Sequence, residues 1–151
     1  MATDMQLHAV ASLLRRGRSL DQLSTGLSLF GVALGLSPWW LATFNPWLLC
    51  FAATLLVVGL LEKYWALRVA FDADLFQRVA DDPQPLAERT QALDLALSAL
   101  GLQPAARAGR PWPERTRGAL GLLRRQALLL AVQVLLTLGF ILASPWLAFA
   151  G

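Results

Sequence analysis

The acids of Asp72-Ala73-Asp74 come nearest to a reactive motif in this chain, because they resemble the short acidic motif with which some transferases hold a metal ion. On a helix that use fails, since residues two apart point about 200° away from one another. Each acid has a simpler role in an i,i+4 pair, Arg68 with Asp72 and Asp74 with Arg78. His8 is the only histidine, and with no thiol or acidic cluster beside it neither a metal site nor an acid–base pair is expected. Cys50 is the only cysteine and reads as a small packing residue in an apolar run. There is no Gly-rich phosphate loop, nucleophile elbow or zinc-binding histidine motif. No catalytic, cofactor-binding or metal-binding residue is therefore expected, and no enzyme activity.

What remains are residues suited to holding helices together. Gly31 and Gly35 form a GxxxG pattern, which lets a second helix approach closely where lipid supplies no hydrophobic force between helices. Either another chain or this chain's own neighbouring helix fits that face. Gln133 and Thr137 lie four apart on one face of a long apolar stretch, where polar groups must find partners or water. They read as hydrogen-bonding glue between helices, or alternatively as the lining of a lumen in an oligomer.

The elements that carry these residues follow from charge. The forty residues from Gln22 to Leu61 and the twenty-six from Gln126 to Gly151 contain no Asp, Glu, Lys or Arg. A bilayer core about 30 Å thick needs about 20 apolar residues of helix to cross it, so the first run is long enough for two crossings. Pro38 and Asn45-Pro46 mark the fold-back, with Pro46 suited to open the second helix. The chain reads as an all-α integral membrane protein with three transmembrane helices. Leu20–Ser37 and Pro46–Leu61 form a tight hairpin, and Gln126–Ser144 is the third span. Trp39, Trp40, Trp47 and Trp146 are expected as an aromatic belt at one interface, with Trp65, Trp112 and Tyr64 at the other.

Of thirteen basic residues, three lie in residues 1–21 and ten in residues 62–125. Three spans put all of them on one side, which the positive-inside rule makes cytoplasmic, with the C-terminus external. The expected location is a bacterial inner membrane. Arg15, Arg16, Arg18, Arg124 and Arg125 fall at the membrane edge, where anionic headgroups attract them.

Five segments result. Residues 1–19 read as an amphipathic helix with a Thr3–Gln6 capping box and a stripe of Leu7, Val10, Ala11 and Leu14. This helix either lies on the leaflet surface or simply anchors the topology. Residues 20–61 are the membrane hairpin. Residues 62–102 read as a cytoplasmic helix-turn-helix, the second span running on to about Asp81 and a further helix covering 86–100. Leu86, Leu93, Leu97 and Leu100 form that helix's stripe, and Gly101 caps its C-terminus. Residues 103–125 are a basic Pro/Gly linker and juxtamembrane segment, and residues 126–151 the third span and a short tail. Tyr64, Leu67, Phe71, Leu75 and Val79 continue one apolar stripe and form the candidate partner face.

The partners expected are membrane lipids and another membrane protein or a second copy. Nucleic acid is not expected, because the arginines are explained by topology and no aromatics interleave with them. The favoured reading is a small non-enzymatic subunit or adaptor of a membrane assembly. A homo-oligomeric channel lined by Gln133 and Thr137 is the alternative. A lipid-headgroup enzyme is disfavoured by the geometry of Asp72 and Asp74.

Overall fold

A computed structural model describes residues 2–41, 45–102 and 109–147, with the side chains of Ala2, Thr3, Trp40, Leu41 and Leu147 outside the description. The Thr3 capping box and the belt position of Trp40 therefore lie outside the described residues, as do Pro104 and Arg107 of the basic linker. The regular elements are all helices: α1 (Ala2–Arg15), α2 (Gly17–Leu41), α3 (Pro46–Asp81), α4 (Leu86–Ala99) and α5 (Trp112–Leu147).

The central element is α3, 36 residues or about 54 Å long. Asn45 caps it, its side-chain oxygen accepting from the Trp47 and Leu48 amides at 3.0 and 3.3 Å, and Pro46 opens it as expected. Its buried residues include Ala52, Leu55, Gly59, Glu62, Ala66, Val69, Ala73, Phe76 and Ala80. The steps between them alternate three and four, the spacing that keeps one seam turned toward partner helices over many turns. Along its apolar half α3 packs on α2 and α5; along its charged half it packs on α1 and the start of α5.

The windows of α3 and α5 with the highest hydropathy average 1.6 and 2.3, and only 22% and 17% of those windows is buried. A core helix of a water-soluble domain would bury most of such a stretch. These two helices are long and apolar enough to cross a membrane. The α2 helix is interrupted by Ser24, Thr25, Ser28 and Ser37 and is not among them.

Two prolines expected to end helices lie inside them. Pro38 sits within α2 and Pro145 within α5. Each proline leaves the carbonyl four residues earlier without its usual amide donor. In both cases the preceding serine replaces that donor: Ser37 Oγ donates to Leu34 O at 2.7 Å, and Ser144 Oγ to Ile141 O at 2.8 Å. The repeated Ser-Pro-Trp is thus a local repair that lets each helix run on past its proline, to Leu41 in α2 and to Leu147 in α5.

Other boundaries also shift. The first two helices divide at Arg16, and α2 starts at Gly17 rather than Leu20. The α5 helix begins at Trp112, inside the segment expected as linker; Pro113 is tolerated in its first turn, and the Pro111 carbonyl accepts from the amides of Glu114 and Arg115. The α1 stripe is as expected, with Leu7, Val10, Ala11 and Leu14 all buried. It is used up, however, against Val69, Ala73, Phe76, Val79 and Ala80 of α3, so this stripe is not free for a lipid surface.

Residues 62–81 thus take α1 as their principal neighbour, and α4 touches α3 lightly. Apolar contact from Leu86 and Leu93 is supplemented by polar staples. Both Asp94 carboxylate oxygens accept from Arg115 Nη2 at 2.8 Å, and Asp94 also accepts from the Gly109 amide at 2.9 Å. Arg89 donates to Val79 O and to Asp4, the latter at 3.2 Å. The Trp112 indole donates to Thr90 at 3.0 Å while its ring packs edge-on to Phe76. The helix ends as expected: Gly101, at φ 66°, donates to Ser98 O, and the Leu102 amide donates to Leu97 O at 2.9 Å.

Arg115→Met should therefore free α4 before anything else, because removing one member of a buried ion pair costs about 3–5 kcal/mol and α4 has little apolar contact to compensate. Hydrogen exchange by mass spectrometry should show residues 86–99 losing protection while residues 46–81 keep theirs; unchanged protection in α4 would rule out the staple.

Candidate functional site

The polar residues of the apolar half converge on one seam between α2, α3 and α5. Gln126 and Gln133 are two turns apart on α5 and fully buried. Gln126 Nε2 donates to Glu62 Oε1 at 2.7 Å and to Gly17 O at 2.8 Å. Its amide thereby ties the start of α2 to the middle of α3. Gln133 does the same one level further into the apolar half. Its Oε1 accepts from Ser24 Oγ at 2.6 Å, and its Nε2 donates to Ser28 Oγ and Leu55 O, both at 3.2 Å. Thr137 Oγ1 donates to the Gln133 carbonyl of its own helix at 2.8 Å. Gln133 thus bonds across to α2 and α3, as expected of glue between helices, whereas Thr137 bonds back to its own helix.

Small residues make the seam possible. A Cβ on Gly59 would lie 2.0 Å from Ser28 Oγ and 2.9 Å from Gln133 Nε2. One on Gly17 would lie 2.9 Å from Gln126 Oε1. Gly31 and Gly35 face α3, where added Cβ atoms would meet Leu55 at 3.1 Å and Ala52 at 3.0 Å. The GxxxG face is thus occupied by this chain's own hairpin.

At the middle of the seam stands Glu62, with no exposed surface. Its Oε1 is bonded to Gln126, while its Oε2 and Gln126 Oε1 are buried with no hydrogen-bond partner. The adjacent Lys63 points the other way. Its ammonium lies 2.5 Å from Asp21 Oδ1 and 2.8 Å from Thr25 Oγ1.

Beside Lys63 a cleft of about 400 Å³ opens where α1 gives way to α2. Arg15, Arg18, Asp21, Lys63, Leu67 and Asp74 are among its walls. On its other side Lys63 borders a smaller groove between α2 and α3, about 110 Å³, walled by Leu29, Val32, Leu56 and Leu60.

The remaining expected site residues disperse. Trp39, Trp47 and Trp146 are 90%, 68% and 79% exposed, as an interfacial belt requires. Trp65 is half-buried, with Arg125 over its ring at 5.1 Å. Trp112 is half-buried within the chain, its ring edge-on to Phe76, its indole donating to Thr90 and Arg115 over its face, because the helix that carries it starts earlier than the composition of the linker suggests. Arg15, Arg16, Arg18, Arg124 and Arg125 are all exposed. Tyr64, Leu67 and Phe71 are exposed at 50%, 66% and 45%, but Leu75 is half-buried and Val79 lies in the core, so the candidate partner face covers only the first two turns of its expected length. Asp72 and Asp74 do not form one site. Burial pushes the Asp72 carboxyl up against the opposing pull of Arg68, and Asp74 borders the cleft.

The seam partners Glu62, Gln126, Ser24, Ser28, Gly17 and Gly59 escape a reading that looks for titratable clusters. The signal that locates them is spacing: Gln126 and Gln133 repeat at seven, and small or polar residues alternate at three and four along α3. No family model, curated protein or solved structure matches this chain.

Gly59→Ala should destabilise the protein by about 2 kcal/mol or more, as overpacking of a close contact does. Gly26→Ala, which meets nothing within 4 Å, should be neutral or slightly stabilising through helix propensity. Thermal unfolding in detergent micelles distinguishes the two, and equal effects would contradict the close approach at Gly59.

Proposed function

We propose that this chain is a small, non-enzymatic subunit or adaptor of a larger membrane assembly, held in a bacterial inner membrane by three spans with its N-terminus cytoplasmic. The observation that carries the proposal is the seam. The polar side chains at its centre bond to one another, so the three long helices form a self-contained unit, and the apolar outer faces of α3 and α5 are left for lipid or partner helices. The same bonding argues against a lumen along Gln133 and Thr137. The dispersal of Asp72, Asp74 and Glu62 argues against catalysis at the charged end.

In this reading α2 is the third membrane helix despite its serines, because Ser24 and Ser28 turn into the seam and Ser37 bonds to its own helix. The basic ends of the helices share one side, as the positive-inside rule requires of the cytoplasmic face. Tyr64, Leu67 and Phe71 present an uncovered apolar strip just beyond the uncharged stretch, where a partner's helix could lie.

A photo-crosslinking residue at position 71 should give one protein adduct of defined mass, either another membrane protein or a second copy, while the same residue at exposed Gln91 gives none. Adducts with lipid alone at position 71 would overturn the adaptor reading. In a Cys50→Ser background, Asn45→Cys should react with an impermeant maleimide in intact cells and Ser98→Cys only after permeabilisation; the reverse pattern would overturn the orientation.

A further inference from the structure

We infer that the basic cleft and the apolar groove that meet at Lys63 together hold one anionic phospholipid, its phosphodiester in the cleft and an acyl chain in the groove. The inference rests on the membrane reading above and names a ligand for one place in it. The first observation is chemical. Arg15, Arg18 and Lys63 supply three cations to the cleft, against the carboxylates of Asp21 and Asp74. Lys63 is matched by Asp21 at 2.5 Å, whereas Arg15 and Arg18 have no ion-pair partner among the described residues. The balance is one uncompensated positive charge, which suits a single phosphodiester. Guanidinium groups bind phosphate oxygens with two parallel N–H donors.

The second observation is shape. The groove begins at Lys63, where the cleft ends, and continues into the apolar half between Leu29 and Val32 of α2 and Leu56 and Leu60 of α3. Among its walls only Lys63, Thr25 and Ser28 are polar; Thr25 donates to Asp21 O and Ser28 to Ser24 O, so both hydroxyls are already engaged. An aqueous anion such as inorganic phosphate would use the cleft and leave the groove empty. A phospholipid would fill both, in the order that a membrane presents them: charge at the edge, hydrocarbon inside. The break between α1 and α2 at Arg16 has a role in this arrangement. It leaves both Arg15 and Arg18 in the wall of the cleft while Gly17 between them packs against Gln126.

The test uses the full chain purified in a maltoside detergent, with unfolding temperature followed as lipid is added. Phosphatidylglycerol should raise the unfolding temperature at low micromolar concentration. Phosphatidylcholine and inorganic phosphate should not. Arg15→Gln/Arg18→Gln should weaken the response about thirtyfold, as loss of two headgroup cations implies. Arg110→Gln/Arg117→Gln removes the same charge outside the cleft and should keep it. Leu60→Trp, which fills the groove with every cation intact, should weaken it as well. Equal responses in the two double variants would overturn the site, and a full response to inorganic phosphate would overturn the lipid assignment in favour of a soluble anion. A chain washed from membranes by alkaline carbonate would instead sink the membrane reading itself, a result separate from either of these.

Discussion

Everything in this fold hangs on one face of one helix. From Ala52 to Ala80 the buried positions of α3 alternate at three and four residues, and most are occupied by something small: alanine, glycine, or a side chain that makes a specific bond. In the apolar half the other helices come close to α3 because nothing large stands in the way, and they are held there by hydrogen bonds from Gln126 and Gln133. In the membrane reading lipid would give these helices no reason to bury large apolar side chains against one another, so close packing and interhelical bonds would have to hold them. In the charged half the same face continues with Val69, Phe76 and Val79 into an ordinary hydrophobic core closed by α1. Glu62 and Gly17 mark the level at which one kind of packing gives way to the other.

That change of regime locates the features that bear on function. The α1–α2 break, the cleft with its arginines and the exposed Tyr64–Phe71 strip all fall near the level of Glu62. A membrane edge at this level would put the basic groups among headgroups and the apolar faces of α3 and α5 in hydrocarbon. The buried Glu62 carboxyl is the costly element of the fold, since a polar group removed from water must be hydrogen-bonded. Gln126 supplies one donor to it and uses the other on Gly17 O, so a single amide joins the start of α2, the middle of α3 and the body of α5.

Much of this was legible in the sequence. Asn45-Pro46 marked the start of α3, the stripe from Leu7 to Leu14 gave the inner face of α1, and Gly101 marked the end of α4. The GxxxG pattern and Gln133 with Thr137 were recognisable as packing devices. Tyr64, Leu67 and Phe71 were legible as an apolar face left for a partner, but the buried face of α3 beside them was not, because it is written largely in Ala, Gly and Glu. The staples of α4 were not legible, because only the fold brings Asp94 and Arg115, 21 apart in sequence, into a buried pair. The helical start at Trp112 was hidden by the density of Pro and Gly around it. Pro38 and Pro145 looked like stops because the compensating serine hydroxyls cannot be inferred from proline alone.

The most direct test of the central joint is a double-mutant cycle between Glu62 and Gln126, with unfolding free energies measured in detergent micelles. Gln126→Leu alone should cost about 3 kcal/mol, because it takes away the hydrogen bond that Gln126 donates to the buried Glu62 carboxyl and the one it donates to Gly17 O. Glu62→Leu combined with Gln126→Leu should recover much of that loss, giving a coupling energy of about 2 kcal/mol. Strictly additive losses would contradict the joint, and α3 would then have to be held by apolar contact alone.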